Sequence, residues 1–210
     1  MQTATEYLAG TESAVRHLFD GIAVYENLLR SAVIPVPAMD ESIGTAAGRA
    51  EYEAWEKRNA ERFAAAWQAE QKFLAEFFAM NTLWGAVLQV ANKALDLYGK
   101  SVAIPPAWSD VVTERTAKYC CGRLIRTVPL GLIIHAARNQ HAHFDDPAPH
   151  RLTVKVFKLL ATAHGYPTPQ PNRTFDLSIP MQSFASAIVD LISWPTFEHY
   201  VTDMRALLEI

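Results

Sequence analysis

The chain has 210 residues and a formal net charge of −3, with 50% of its residues hydrophobic and 20% charged. This composition is that of a globular protein with a sizeable core, and it excludes a disordered or low-complexity chain. The net charge argues against a protein that coats nucleic acid nonspecifically, and the length favours one domain over residues 1–210.

Neither a leader nor a membrane span is predicted. Residues 1–10 lack a basic segment leading into an apolar run, so we expect no signal peptide. The most apolar stretch, residues 127–137, has about half of the roughly 20 residues that a membrane span needs. Cys120 and Cys121 are adjacent and cannot form an ordinary disulfide within a helix, which fits a reducing compartment. We therefore expect a cytoplasmic protein.

Long helices are predicted for the N-terminal half. Between residues 5 and 32, apolar side chains recur at steps of three, four and seven, as on one face of a helix. After a loop rich in proline and glycine, residues 49–98 have an almost continuous helical pattern that ends at Gly99. Because about fifty helical residues would span roughly 75 Å, we expect a break near Asn81 and Thr82. The helices of residues 5–98 are expected to pack on the rest of the domain.

Helices are also predicted for the C-terminal half. One should begin near Ser109, whose hydroxyl can cap it, and Pro129 predicts two helices or one kinked helix over residues 110–143. A further helix begins at Pro149 and ends at Gly165, a surface loop covers 165–177, and the last two helices cover 180–193 and 196–208. With no strand hairpin signal and no repeat, the predicted fold class is all-α, an irregular bundle of antiparallel helices. Trp and Phe residues at helical spacing are expected in its core.

One polar segment, residues 135–146, could carry chemistry. On a helix, Asn139 and His143 share a face, and the long side chain of Arg138 reaches the same space. An imidazole exchanges protons near neutral pH, and a guanidinium can bind a phosphate through two hydrogen bonds. Because the 2′-hydroxyl of RNA supplies the nucleophile, a base, an acid and charge stabilisation suffice, without metal or cofactor. Arg138, Asn139 and His143 are therefore the candidate catalytic residues.

This segment resembles the HEPN domains, which are helical and carry an R-x(4 to 6)-H motif, often with Asn or another polar residue after the Arg. Arg138, Asn139 and His143 fit the four-residue spacing at the end of a predicted helix. The resemblance covers roughly residues 109–164 and does not extend to the N-terminal half. It implies a metal-independent endoribonuclease in stress response, toxin–antitoxin systems or phage defence, with RNA as substrate and an antitoxin protein as a partner. His143 would be the general acid or base, Arg138 would stabilise the phosphorane, and Asn139 would orient the pair.

The number of proton-transfer groups bears on the oligomeric state. Cleavage through a 2′-hydroxyl is most efficient with two such groups, yet each chain has one motif histidine. We therefore predict a homodimer that brings two copies of Arg138 and His143 together.

Positive charge is concentrated around the motif. Residues 105–160 carry more Lys and Arg than Asp and Glu, whereas both flanking segments are net negative. If these side chains line a cleft around His143, they would bind the RNA backbone in a salt-dependent way. Two groups of side chains are candidates for this role: Arg115, Lys118, Arg123 and Arg126 before the motif, and Arg151, Lys155 and Lys158 after it. The alternative for both groups is an ordinary solvated helix face.

Three alternatives to the catalytic interpretation stay open. Arg138 could pair with Asp145 or Asp146 near the helix C-terminus, with His143 as a capping residue favoured by the helix dipole. A metal site could be drawn from His141, His143, Asp145, Asp146 and His150, although His141 and His143 lie on opposite sides of a helix and only His141 and Asp145 are spaced to chelate. The domain could also be a non-catalytic binding or antitoxin-partner module. His135 is predicted to be a core or helix-face residue, and in the catalytic interpretation His141 is expected to contact solvent or the RNA backbone.

Overall fold

The computed structural model describes residues 3–31, 35–37, 42, 44–146, 148–162, 172–179 and 182–210, with the backbone alone at 28–31 and 74–75. Most of these residues are helical, and the predicted all-α fold class is confirmed. The α-helices are α1 (Ala4–Ser31), α2 (Ala46–Arg58), α3 (Ala60–Tyr98), α4 (Leu130–Ala142), α5 (Arg151–Thr162), α6 (Ala185–Leu191) and α7 (Phe197–Leu208). Three short 3₁₀ turns occur at Pro106–Trp108, Ala117–Tyr119 and Arg173–Phe175, and two antiparallel strands, β1 (Leu124–Ile125) and β2 (Val128–Pro129), precede α4.

The chain divides into two compact units. The first unit comprises residues 1–21 and 80–210 and contains the whole motif, and the second comprises residues 22–79. Helices α1 and α3 each contribute residues to both units. The expectation of a single domain over residues 1–210 stays a prediction.

The second unit contains the break between the long helical segments. Helix α2 begins after Thr45, whose side chain accepts from the Gly48 amide, and it ends at Asn59, whose side-chain amide donates to the Trp55 carbonyl at 2.9 Å. The predicted break near Asn81 is wrong, since α3 continues through that position. Asn81 is 4% exposed and uses its side-chain oxygen to accept from the Ser186 amide, so its polarity serves a tertiary contact instead of a helix end.

The core of the first unit surrounds α4 and the adjoining ends of the other helices. Leu132, Ile133 and Ile134 of α4 are fully buried. From α1, the Phe19 ring lies 5.4 Å from that of Trp84, which is also buried. The prediction of an N-terminal amphipathic helix is confirmed, as is the core position of Trp84. Trp67, in the second unit, is 63% exposed, so the predicted core position is wrong for this residue.

The segment before α4 corrects two predictions. No helix begins at Ser109, because its hydroxyl donates back to the Pro106 carbonyl (2.9 Å) and closes a 3₁₀ turn. A hairpin that the sequence did not predict follows, with Arg126 and Thr127 in its turn at φ 48° and 70°. Such values are uncommon for residues other than glycine, and a β-branched residue adopts them only when its surroundings hold it there. Helix α4 therefore begins at Leu130, directly after Pro129.

The C-terminal elements follow the predicted order. Helices α5 and α7 occupy the predicted segments, whereas α6 is shorter than predicted, because residues 182–184 are not helical. Four predicted features lie outside the described residues: His164, the helix end at Gly165, the first part of the following loop and the helix start at Pro180.

No single helix in the described parts of the chain is both long and apolar enough to cross a membrane. The two halves of α3 meet these criteria only when they are taken together.

Candidate active site

The candidate residues lie at the C-terminal end of α4, where the helix leaves the core. Residues 130–134 are buried, and the polar side chains begin at His135. The helix ends at Ala142, and His143 is its C-cap, with a backbone N–H that donates to the Asn139 carbonyl at 3.1 Å. The side chain of His143 is exposed, so the motif runs from the edge of the core to the surface.

Asn139 and His143 line the same cavity, which has a volume of about 670 Å³. Their spacing of four thus brings them together, as the helical pattern predicts. Further polar lining residues lie between α4 and α5: Asp145, Asp146 and His150. Phe144 and Phe184 contribute apolar surface to the cavity.

Arg138 does not line this cavity but is attached to it through Asn139. Its Nη1 donates to Asn139 Oδ1 at 3.0 Å, and its Nε donates to Gln89 Oε1 of α3 at 2.5 Å. The structure thus brings Arg138 and Asn139 into direct contact and gives the guanidinium two fixed anchors. Its Nη2 makes no hydrogen bond with a described residue.

A chain of polar contacts continues from Asn139 into the protein. Asn139 Nδ2 lies 3.1 Å from His135 Nε2, and His135 Nδ1 lies 3.0 Å from Asn92 Oδ1 of α3. The His135 ring stacks on that of Tyr119, with 4.0 Å between their centroids. Burial, followed by the positive charge of Arg138, lowers the pKa of His135 to about 4, so the ring is neutral at physiological pH.

The pairing alternative for Arg138 is not seen among the described contacts. Arg138 forms no ion pair with Asp145 or Asp146, and both carboxylates are exposed. His143 does occupy the capping position, but its backbone satisfies the helix end and its ring makes no hydrogen bond with a described residue. The imidazole is therefore accessible to a ligand in the cavity.

His141 lies in a different environment from the one predicted. The sequence placed it on the far side of the helix, towards solvent or RNA, whereas its ring is partly buried and packs on Gly85 of α3. Its Nδ1 lies 2.7 Å from Ser183 Oγ, and burial lowers its pKa. Asn139, two residues earlier, lines the cavity. The polar side chains at the C-terminal end of α4 therefore have two roles: some line the cavity, and His141 packs on α3.

The donor set for a metal ion is sparse. Among the described residues, no group of three or more His, Cys, Asp or Glu side chains is arranged to hold an ion. Asp146 accepts from the Ala148 amide at 2.9 Å, and Nδ1 of His150 accepts from the Leu152 amide at 3.4 Å, so both are partly committed to the loop and to the start of α5.

None of the seven basic residues predicted to bind RNA lines the cavity. Lys118 pairs with Asp96, and Arg123 pairs with Asp203 at 2.9 Å. The other contacts are also structural: Arg126 donates to the Leu160 carbonyl, and Lys155 to the Asp110 carboxylate. Arg115, Arg151 and Lys158 are exposed, and the last two line a separate groove along α5 together with Lys155. The condition that these side chains surround His143 is not met. The first group lies in a segment that is not the predicted helix, and the second lines the separate groove along α5.

Sequence reasoning missed the partners that α3 supplies to the motif. Gln89, Asn92 and Asp96 follow one another at steps of three and four, which places them on one face of α3. His135 and Asn139 have the same spacing on α4. These two polar stripes were the available signal, although a sequence alone does not reveal that they meet.

Comparisons of the chain with protein-family models, with curated proteins and with solved structures found no match.

Proposed function

We propose that the protein is a metal-independent endoribonuclease and that the cavity at the end of α4 binds the scissile phosphodiester. The observation that carries this proposal is the joining of the three motif residues at one place. Asn139 and His143 line one cavity, and Arg138 is hydrogen-bonded to Asn139 beside it. Cleavage through a 2′-hydroxyl needs proton transfer and charge stabilisation, for which an accessible imidazole and a guanidinium are suited.

In the proposed reaction the 2′-oxygen attacks the phosphorus, and a base takes the hydroxyl proton. The bond from phosphorus to the 5′-oxygen breaks, and an acid supplies a proton to that oxygen. The products are a 2′,3′-cyclic phosphate and a 5′-hydroxyl. His143 fills one of the two proton-transfer roles because its ring is exposed in the cavity. Arg138 stabilises the charge of the phosphorane with its free Nη2, and Asn139 keeps the guanidinium in place.

The second proton-transfer group comes from a second copy of the chain in this proposal, which makes the active form a homodimer. His150 lines the same cavity and is the competing source within one chain. Light scattering at micromolar concentration should give about twice the 23.4 kDa of one chain, and His150→Ala should keep cleavage within a few-fold of wild type. A 23.4 kDa particle that cleaves RNA and loses cleavage in His150→Ala would reject the dimer.

The biological setting that fits this activity is a toxin–antitoxin or phage-defence system in the cytoplasm, with an antitoxin protein as partner. In this setting the partner would restrain the cleavage of cellular RNA by binding the enzyme. Co-expression with the neighbouring reading frame, compared with expression alone, tests this setting through cell growth and RNA integrity.

The activity itself is tested with purified protein and a labelled single-stranded RNA, in EDTA and without added metal. His143→Ala and Arg138→Ala should each lose cleavage by about 10² to 10⁴, the usual contribution of such groups. His199→Ala and Arg205→Ala are matched controls, because these side chains are exposed on α7 away from the cavity, and they should cleave like wild type.

The product ends and the response to EDTA distinguish the alternatives. A 2′,3′-cyclic phosphate and undiminished cleavage in EDTA are expected. Loss of activity in EDTA, with His141→Ala and His143→Ala equally inactive, would favour the metal site. Absence of cleavage by wild type and variants, with or without divalent ions, would reject the enzyme and leave a binding module.

A further inference from the structure

The polar contacts of Arg138 belong to a longer chain that runs between α4 and α3. The chain runs from Arg138 through Asn139 and His135 to Asn92 of α3. Tyr119 stacks on the His135 ring beside this chain. The Tyr119 hydroxyl lies 3.4 Å from Asp96 Oδ1, and Lys118 Nζ lies 2.7 Å from the same oxygen.

The Arg138 end sets the direction of every hydrogen bond in this chain. Arg138 can only donate, so it must face the oxygen of the Asn139 amide, which turns Asn139 Nδ2 towards His135 Nε2. An amide nitrogen only donates, so Nε2 must carry a lone pair, and the ring proton must lie on Nδ1, where it is donated to Asn92 Oδ1.

The neighbouring Tyr119 keeps its own proton. The Asp96 carboxylate only accepts, so the Tyr119 hydroxyl donates to it. Burial and the Asp96 charge raise the pKa of Tyr119 to about 12. One arrangement of protons therefore satisfies the contacts that join Arg138, Asn139, His135 and Asn92.

We propose that His135 is a positioning residue that, as a neutral ring protonated on Nδ1, fixes the Asn139 amide and through it the Arg138 guanidinium. This proposal rests on the proposed ribonuclease function for its catalytic consequence. If Nε2 were protonated as well, its N–H would face the Asn139 Nδ2 group, and both groups only donate. The Asn139 amide would then have to turn, and its oxygen would no longer accept from Arg138.

The charges around the ring favour the neutral form. Burial lowers the pKa of His135 most, the positive charges of Arg138 and Lys118 lower it further, and Asp96 opposes them. Tyr119 covers one face of the ring as an uncharged group. His135 therefore takes no proton from the substrate, and its effect on cleavage is exerted through Asn139 alone.

Two substitutions separate positioning from packing. In His135→Gln, the side-chain oxygen can accept from Asn139 while the nitrogen donates to Asn92, so the direction of the chain is kept. His135→Leu fills similar space and removes both contacts. With both variants folded by thermal melting, His135→Leu should lower kcat by roughly 10-fold or more, as loss of an orienting partner typically does, at unchanged KM. His135→Gln should stay within a few-fold of wild type, and equal losses in both variants, or in neither, would overturn the proposal.

A third substitution tests the proton position through the pH profile. In Asn92→Asp, a carboxylate faces Nδ1–H and favours the imidazolium, so cleavage should fall at a higher pH on the acid side than in wild type. Asn81→Asp is the matched control, because Asn81 is also buried on α3 but bonds to the Ser186 amide. An unshifted profile in Asn92→Asp would count against the assigned tautomer.

Nuclear magnetic resonance keeps this proposal separate from the ribonuclease itself. At pH 7, ¹⁵N shifts of His135 should show a protonated Nδ1 and an unprotonated Nε2. The Nη1 protons of Arg138, which donate to Asn139, should exchange more slowly in wild type than in His135→Leu. A protonated Nε2, or equal exchange in both proteins, overturns the positioning role even if RNA is cleaved. The expected spectra in a protein that cleaves no RNA would support the positioning and reject only the enzyme.

Discussion

Gly85→Ala probes the contact by which α4 packs on α3 beside the candidate active site. A methyl group built at Gly85 would lie less than 3.0 Å from Nε2, Cδ2 and Cε1 of the His141 ring. The ring must therefore turn away, and its 2.7 Å contact with Ser183 Oγ is broken. The substitution tests whether the partly buried His141 is a structural residue.

The expected loss follows from three opposing contributions. Replacing glycine by alanine inside a helix gains about 0.8–1 kcal/mol. Overpacking costs about 1–3 kcal/mol, and the lost hydrogen bond costs about 0.5–1.5 kcal/mol. Gly85→Ala should therefore lower the free energy of unfolding by about 1–3 kcal/mol, because the last two contributions exceed the first.

Urea denaturation measures this loss, and a double-mutant cycle assigns it to the ring. In Gly85→Ala/His141→Ala the clash is absent, so the combined loss should be smaller than the sum of the two single losses by about 1–3 kcal/mol. Gly21→Ala is the matched control, because its methyl would meet one flexible Leu83 atom at 3.2 Å, and it should cost much less. Additive losses in the cycle, or a Gly85→Ala protein as stable as wild type, would refute the contact.

Three further predictions concern stability. Asp203 accepts from Arg123 at 2.9 Å and from Trp194 Nε1 at 2.8 Å. Asp203→Asn should therefore lower the free energy of unfolding by about 1–2 kcal/mol, measured by thermal melting, and the loss should be smaller in high salt. The buried hydroxyl of Tyr200 has no partner among the described residues, so Tyr200→Phe should unfold in urea within about 1 kcal/mol of wild type or be more stable, and a loss above 2 kcal/mol would reveal a missed partner. The pKa of His135 is about 4 in the folded protein and 6.5 for the free side chain. Between pH 4 and pH 6.5 the unfolded chain therefore binds a proton at His135 that the folded protein does not bind. Stability should fall by about 2 kcal/mol between pH 7 and pH 5, and His135→Gln should remove most of that slope.

The parts of the fold that could be predicted are those whose cause is local. The apolar spacing of α1 and the polar C-terminal end of α4 are visible in the sequence because a helix repeats its faces every three to four residues. Residues 110–129 could not be predicted in this way. Their hairpin turn contains Arg126 and Thr127 instead of glycine or asparagine, and it is held by the hydrogen bond of Arg126 to Leu160, which is distant in sequence.

The same distinction applies to the candidate site. Asn139 and His143 could be placed at one cavity from a spacing of four on a single helix. The partner of Arg138 could not be predicted, because Gln89 lies 49 residues earlier in the chain and on another helix. His141 was placed on the correct side of α4 relative to His143, but the side facing away from the cavity packs on α3 instead of facing solvent.

The two ends of the motif differ in how firmly the protein holds them. Arg138 is anchored at Gln89 and Asn139, whereas the His143 ring, one position past the helix, has no anchor among the described residues. A group that stabilises charge is most effective when it is already oriented, because its reorganisation then costs nothing in the transition state. A proton-transfer group needs only to reach its proton, so ordering one free ring costs about 0.5–1.5 kcal/mol on binding. In the proposed ribonuclease, the substrate or a second copy of the chain would complete the site at His143, whereas the contacts with Gln89 and Asn139 already hold Arg138.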